Sequence, residues 1–285
     1  IRILHYFVTI AQEKNITRAA ERLLITQPTL SRQLKELEEE LGVSLFHRAN
    51  REMTLTEDGQ YLYNRSQEIL QLVSKTEENL TRKGEIGGDL YIGTAETASF
   101  DFVADACRSL LEIYPQIRLN FYDDNADSLY EKLDKGTLDF ALVFTHAIPA
   151  KYKMIQLPRK DQWGVLVPKN HPLTKLEQVT VEEIVSYPLI VSNQSDIDKS
   201  AFANYDYKVV ATYNLLYTAS RLVQAGLGIA LCLDGIVDHP ELVFLPCTNQ
   251  GDEGYYLIWK DRHDQTATEK AFLEEIEAQL YEIEN

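Results

Sequence analysis

Apolar residues recur at helical spacing from the start of the chain. Leu4, Phe7, Val8 and Ala11 mark one short helix, and Ala19, Ala20, Leu23 and Leu24 mark a second over residues 17–24. In a third, Leu30, Leu34, Leu37 and Leu41 share a face; Thr26 is placed to cap it, Pro28 suits its first turn, and Gly42 suits its end. Residues 43–46 and 53–55 read as two short extended pieces joined by a polar turn that carries Arg48 and Arg51, the pattern of a wing. Thr56 is placed to cap a helix running to about Lys83, with Leu62, Ile69, Val73 and Leu80 along one stripe. A helix that long with a single apolar stripe needs a partner, which predicts dimerisation. Gly84, Gly87 and Gly88 then break the pattern.

Beyond residue 88, short apolar runs alternate with amphipathic helices, which predicts an α/β domain built on a parallel sheet. The runs are 90–92, 117–121, 140–144, 164–167, 189–191, 209–211 and 229–231. Helices fit 102–114, 128–133 and 216–225; Thr180 with Glu183 forms a capping box, and a last helix covers about 266–281.

Composition narrows the function classes. With 285 residues and 45% hydrophobic content, the chain is long enough for two or three domains and too apolar to be disordered. No stretch reaches membrane-spanning length, and the apolar run 3–11, interrupted by His5, is not a signal peptide. Cys107, Cys232 and Cys247 are scattered among apolar residues, which fits a reducing cytoplasm and core positions better than a redox pair. A net charge of -16 opposes non-specific coating of nucleic acid, though it permits a small DNA-binding face.

The segment 17–41 has the layout of a helix-turn-helix, with the small Ala19-Ala20 pair permitting close crossing. Between its buried leucines the third helix exposes Gln27, Pro28, Thr29, Ser31, Arg32 and Lys35. Arg32 suits guanine, Gln27 adenine, and Pro28 or Thr29 a thymine methyl. Ser31, Lys35, Arg18 and the wing cations Arg48 and Arg51 suit phosphates. Glu36, Glu38, Glu39 and Glu40 occupy the distal half, away from that cationic end. Periodicity alone leaves open an ordinary helical hairpin with a solvated polar face.

The run Thr17-Arg18-Ala19-Ala20-Glu21-Arg22-Leu23, then Thr26-Gln27-Pro28-Thr29-Leu30-Ser31-Arg32-Gln33-Leu34-Lys35, Leu45-Phe46-His47-Arg48 and Leu55-Thr56-Glu57-Asp58-Gly59 resembles the LysR family of transcriptional regulators in order and spacing. Weaker landmarks continue the likeness: Tyr114-Pro115, Gly136-Thr137-Leu138-Asp139, Asn170-His171-Pro172-Leu173 and Ala225-Gly226-Leu227-Gly228. The resemblance implies a winged helix-turn-helix (1–56), a linker or dimerisation helix (57–83), a hinge (84–88) and an effector-binding domain (89–285). That last domain resembles type 2 periplasmic binding proteins, with lobe I at about 89–160 and 266–285 and lobe II at about 161–265, joined by two crossover strands. The resemblance also implies a homodimer or homotetramer on interrupted inverted repeats of double-stranded DNA near promoters, RNA polymerase as a partner, and a small-molecule effector between the lobes. It further implies Gln27, Pro28, Ser31, Arg32 and Arg51 at DNA. No cofactor, metal or enzymatic activity is expected.

In such a fold ligands sit where strands end and helices begin. One edge is Thr94, Ala95, Glu96 and Thr97; another is Ser192, Asn193 and Gln194; the resemblance adds Phe144, Thr145 and His146, with Cys232 after a later strand. Glu96 sets a condition on the ligand, since a carboxylate facing the cleft disfavours an anion. Rival readings are weaker. Gly226-x-Gly228 follows a helix and precedes a strand, the reverse of a dinucleotide fingerprint. Asp123 to Asp127 lacks the glycine and distal glutamate of a calcium loop. A solute-binding protein would share the C-terminal fold without the helix-turn-helix.

Overall fold

The structure is a computed structural model that describes residues 1–47, 52–82, 84–144, 148–194, 201–248, 253–261 and 265–284. The chain divides into two compact units, 1–83 and 84–285. The first contains α1 (Arg2–Glu13), α2 (Ile16–Arg22), α3 (Gln27–Leu41), the short strands β1 (Phe46–His47) and β2 (Thr54–Leu55), and α4 (Glu57–Arg82). Phe7, Ile10, Ala19, Ala20, Leu30, Leu34, Leu37 and Phe46 bury a common core, as the helical spacing predicts. Asn15 caps α2 by accepting the Thr17 and Arg18 N–H groups at 2.9 and 3.1 Å. Between α2 and α3 the chain turns through Leu24 at φ 55°, and the Ile25 N–H returns to Ala20 O at 3.0 Å.

Two expectations change in this unit. Thr26 stands at the N-cap of α3, yet its hydroxyl meets that of Thr29 at 2.8 Å and caps no backbone N–H. Glu38 lies inside rather than on the solvated acidic end: its carboxylate accepts the Leu45 N–H at 2.7 Å and ties α3 to the wing. The wing strands pair antiparallel, His47 opposite Thr54, and Arg48 and Arg51 lie outside the described residues. Thr56 caps α4 as expected, accepting the Gly59 N–H at 2.9 Å.

The second unit holds two five-stranded sheets. In chain order its elements are β3 (Gly88–Thr94), α5 (Phe100–Ile113), β4 (Ile117–Asp123), α6 (Ala126–Lys135), β5 (Phe140–Phe144), β6 (Tyr152–Asp161) and β7 (Trp163–Pro168). A 3-10 turn (Pro172–Lys175) leads to α7 (Val181–Ile184), β8 (Leu189–Ser192), β9 (Val209–Tyr213), α8 (Leu216–Gln224), β10 (Ile229–Leu233), β11 (Leu242–Pro246), β12 (Glu253–Lys260) and α9 (Ala267–Glu284). One sheet runs β4-β3-β5-β12-β6 and the other β11-β7-β10-β8-β9. Period-two alternation divides each sheet between two faces. In β5, Phe140 and Leu142 pack with α5 and α9, while Ala141 and Val143 pack with α6. In β8, Leu189 and Val191 face α7, and Ile190 faces α8.

The sheets are mixed rather than parallel. Strands β3, β4 and β5 pair parallel, as do β8, β9 and β10, but β12 runs antiparallel to β5 and β6, and β7 runs antiparallel to β10 and β11. The cause is connectivity: the chain passes from the first sheet to the second between β6 and β7, and back between β11 and β12. This corrects the expected lobe boundary, because residues 253–260 form a strand of the first sheet and not a part of lobe II.

Candidate functional site

The face of α3 opposite its buried leucines is open. Gln27, Pro28, Thr29, Ser31, Arg32 and Lys35 are all exposed. Because no side chain caps α3, its first-turn N–H groups remain available to an anion such as phosphate. Arg32 and Lys35 rest on Glu36 and Glu39 one turn later, at 3.6 and 3.2 Å. Exposed pairs of this kind contribute at most about 1 kcal/mol, so both cations exchange partners at little cost. Arg18 is exposed as well and donates to Glu13 O at 2.8 Å.

In the second unit the two sheets flank a cavity of about 710 Å³. It is lined by Ala95 and Glu96 after β3, Phe144 at the end of β5, Ser192 at the end of β8 with Asn193 and Gln194 after it, and Cys232 in β10. Thr145 and His146 lie outside the described residues. Thr94 and Thr97, expected in the cleft, are buried beside the lining residues Ala95 and Glu96: the Thr94 hydroxyl donates to Ala95 O, and that of Thr97 to the Asp161 carboxylate. The lining also includes residues that sequence reasoning missed, among them Asn125, Asp127, Trp163, Tyr213 and Tyr255. Trp163 and Tyr255 sit in strands adjoining the two crossings, which the alternation of runs and helices did not reveal.

The electrostatics centre on two carboxylates. Glu96 reaches across the cleft, and its Oε2 accepts the Leu216 N–H at the start of α8 at 2.6 Å. Burial pushes its carboxyl above the ordinary range, opposed by that hydrogen bond and aided by nearby Asp123. Asp161, fully buried at the end of β6, accepts the Thr97 and Ser99 hydroxyls, the latter at 3.1 Å. Arg159 bridges it to Asp234 beyond β10, at 3.3 and 3.1 Å. Burial raises Asp161 too, against the pull of the hydroxyls and Arg159.

The three cysteines are buried, and burial raises the thiols of Cys107 and Cys232 to about 12 and that of Cys247 to about 11. Cys232 and Cys247 both line the cavity, but Cys232 lies in β10 and Cys247 just past β11, with β7 between those two strands. Two strand spacings, about 10 Å, exceed the reach of a disulfide. The glycine pair 226 and 228 also has a structural account. Gly226 adopts φ 79° just past α8, and a Cβ at Gly228 would lie 2.3 Å from Pro188 O. No group of three or more potential metal ligands occurs among the described residues.

Comparison with known proteins agrees with this geometry. Residues 1–60 match the family model described as bacterial regulatory helix-turn-helix protein, lysR family, and residues 83–280 match the LysR substrate binding domain. The chain is 29% identical over 286 residues to the uncharacterised HTH-type transcriptional regulator YnfL of Escherichia coli K12, covering 95% of this chain and 96% of that one. It is 27% identical to the DNA-binding transcriptional dual regulator OxyR of the same organism, over 87% of this chain and 84% of that one. Among solved structures, full-length CbnR complexed with its target DNA aligns at a TM-score of 0.75 and 18% identity, covering 97% and 98% of the two chains. With family models over both units and this likeness of fold, the chain belongs to the LysR family of helix-turn-helix transcriptional regulators.

Proposed function

We propose that this regulator reads DNA through the exposed face of α3. Arg32 and Gln27 contact base edges, Pro28 or Thr29 contacts a thymine methyl, and Ser31, Lys35, Arg18 and the wing residues Arg48 and Arg51 hold the backbone. The observation that carries this reading is the separation of the helix into a buried leucine face and an exposed polar face whose first turn is uncapped. The protein acts as a dimer or higher oligomer on an interrupted inverted repeat and from there engages RNA polymerase at the promoter. The effector binds in the cavity between the sheets, touching Ala95, Glu96, Phe144, Ser192, Asn193, Gln194 and Cys232. Thr97 positions that wall through Asp161.

Selection of sites from random duplex DNA with the purified full chain, at fixed salt, tests the DNA reading. The expected product is an inverted repeat with half-sites one helical turn, or a multiple of it, apart. Absence of any enriched sequence from a folded protein would contradict it.

A further inference from the structure

The cavity is bordered by helix starts. Asn125 and Ala126, which open α6, and Leu216, which opens α8, lie on its wall, and α5 begins shortly after Ala95 and Glu96. Helix N-termini ordinarily attract anions, through unpaired N–H groups and the positive end of the dipole. Here a carboxylate of the chain itself accepts an N–H at the start of α8, and further carboxylates lie beside the starts of α6 and α5. Glu96 occupies the start of α8; Asp127 sits in the first turn of α6, where Asn125 takes the Ser128 N–H at 2.9 Å; Asp161 holds the Thr97 and Ser99 hydroxyls beside α5. An anionic ligand therefore finds the start of α8 taken and faces two lining carboxylates, Glu96 and Asp127.

Among the described lining residues there is no Lys, Arg or His to offset that charge. The nearby cation Arg159 is already shared between Asp161 and Asp234. The wall does offer the aromatic rings of Phe144, Trp163 and Tyr255. Rings beside carboxylates suit a cation with an apolar body, because the ring face attracts positive charge and the carboxylate pairs with it. The α8 hydrogen bond engages Oε2 of Glu96, which leaves Oε1 as an acceptor for a ligand.

Resting on the reading that the effector occupies this cleft, we propose that the effector is an organic cation, an amine or guanidine on an apolar body, whose charged group pairs with Glu96. The carboxylate that binds the ligand is then the one that links the β3 edge of the first sheet to α8 on the second, which couples occupancy to the contact between lobes.

Calorimetric titration of the full chain with three probes of similar shape tests this: 2-phenylethylamine, 2-phenylethanol and 3-phenylpropionate, at neutral pH. The amine is expected to bind at least roughly tenfold more tightly than the other two, a difference of about 1.4 kcal/mol. Glu96→Gln, which keeps an acceptor for the Leu216 N–H, is expected to abolish that preference. Equal or tighter binding of the acid, an undiminished preference in Glu96→Gln, or no binding of any probe overturns the assignment. Ser192→Trp, which fills the cavity, separates the two readings. Acid binding that Ser192→Trp abolishes leaves the cleft as the effector site and refutes only the charge, whereas amine binding that survives Ser192→Trp refutes the cleft.

Discussion

Arg32 and Lys35 lie three residues apart on one exposed face of α3, yet their chemistry assigns them different work. A planar guanidinium matches the paired acceptors of guanine, whereas an ammonium serves as a point charge against phosphate. Arg32→Ala is expected to weaken binding to the selected site by about 1 to 3 kcal/mol and binding to random DNA far less. Lys35→Ala is expected to weaken both alike and to lower the salt dependence by about one unit of slope. Binding isotherms on specific and random duplexes across a salt series separate these outcomes, and equal losses for Arg32→Ala would remove its reading role. These residues were legible in sequence because the leucine spacing fixes which positions point outward. Glu38 was not: in the run Lys35 to Leu41 every glutamate reads as solvated, and only the return of the chain at Leu45 gives Glu38 a buried partner. The partner of the Thr97 hydroxyl was hidden for a similar reason, since Asp161 lies 64 positions away.

The helix α4 carries two kinds of apolar residue. Leu62 and Leu70 pack into the core of the first unit, whereas Tyr61, Ile69, Leu72 and Leu80 recur at helical spacing and are exposed. The stripe inferred from Leu62, Ile69, Val73 and Leu80 was thus a blend of an inner and an outer face. The outer face is what a second copy would cover, so Leu72→Asp is expected to shift sedimentation toward monomer, and an unchanged distribution would discount α4 as the dimer contact. The base of the same helix is fixed by Gly59, where a Cβ would lie 2.0 Å from Leu45 O. Gly59→Ala must push α4 away from the wing and is expected to destabilise the first unit by about 1 to 3 kcal/mol, the usual range for overpacking. Loss of helical circular dichroism on heating measures this; an unaltered melting curve would contradict the contact. The helices were readable because their spacing is local. Strands β6, β11 and β12 escaped because β6 interleaves Lys153, Pro158, Arg159 and Lys160 with its apolar positions, and sheet partners far along the chain decide the outcome for all three.

For the molecule as a whole, the passage between the two sheets matters most, and it is built on a buried acid. Asp161 ends β6, a single residue separates it from β7, and through Arg159 it is linked to Asp234 on the other side of the passage. Sequence could place the two lobes by resemblance, but a single aspartate in a charged strand carries no mark of burial. Its pH behaviour exposes it. Burial raises the folded-state pKa of Asp161, whereas in the unfolded chain the group titrates near the ordinary value of about 4. Between the two, the folded chain holds a proton that the unfolded chain has released, so stability falls as pH rises. The contribution is complete below the unfolded pKa and is lost as pH passes through the raised folded one. Glu96, raised for the same reason, acts in the same direction, so the wild-type curve sums both. Asp161→Asn removes one titrating group and is expected to flatten the fall in melting temperature across that window, whatever it does to absolute stability. Tryptophan fluorescence isolates the effect, since the only two tryptophans, Trp163 and Trp259, both lie in the second unit. A variant whose melting temperature tracks the wild type at a constant offset from pH 4 to pH 7 would show that Asp161 is charged throughout, and that the crossing is held by an ion pair with Arg159 rather than by a carboxyl that gains its proton on mild acidification.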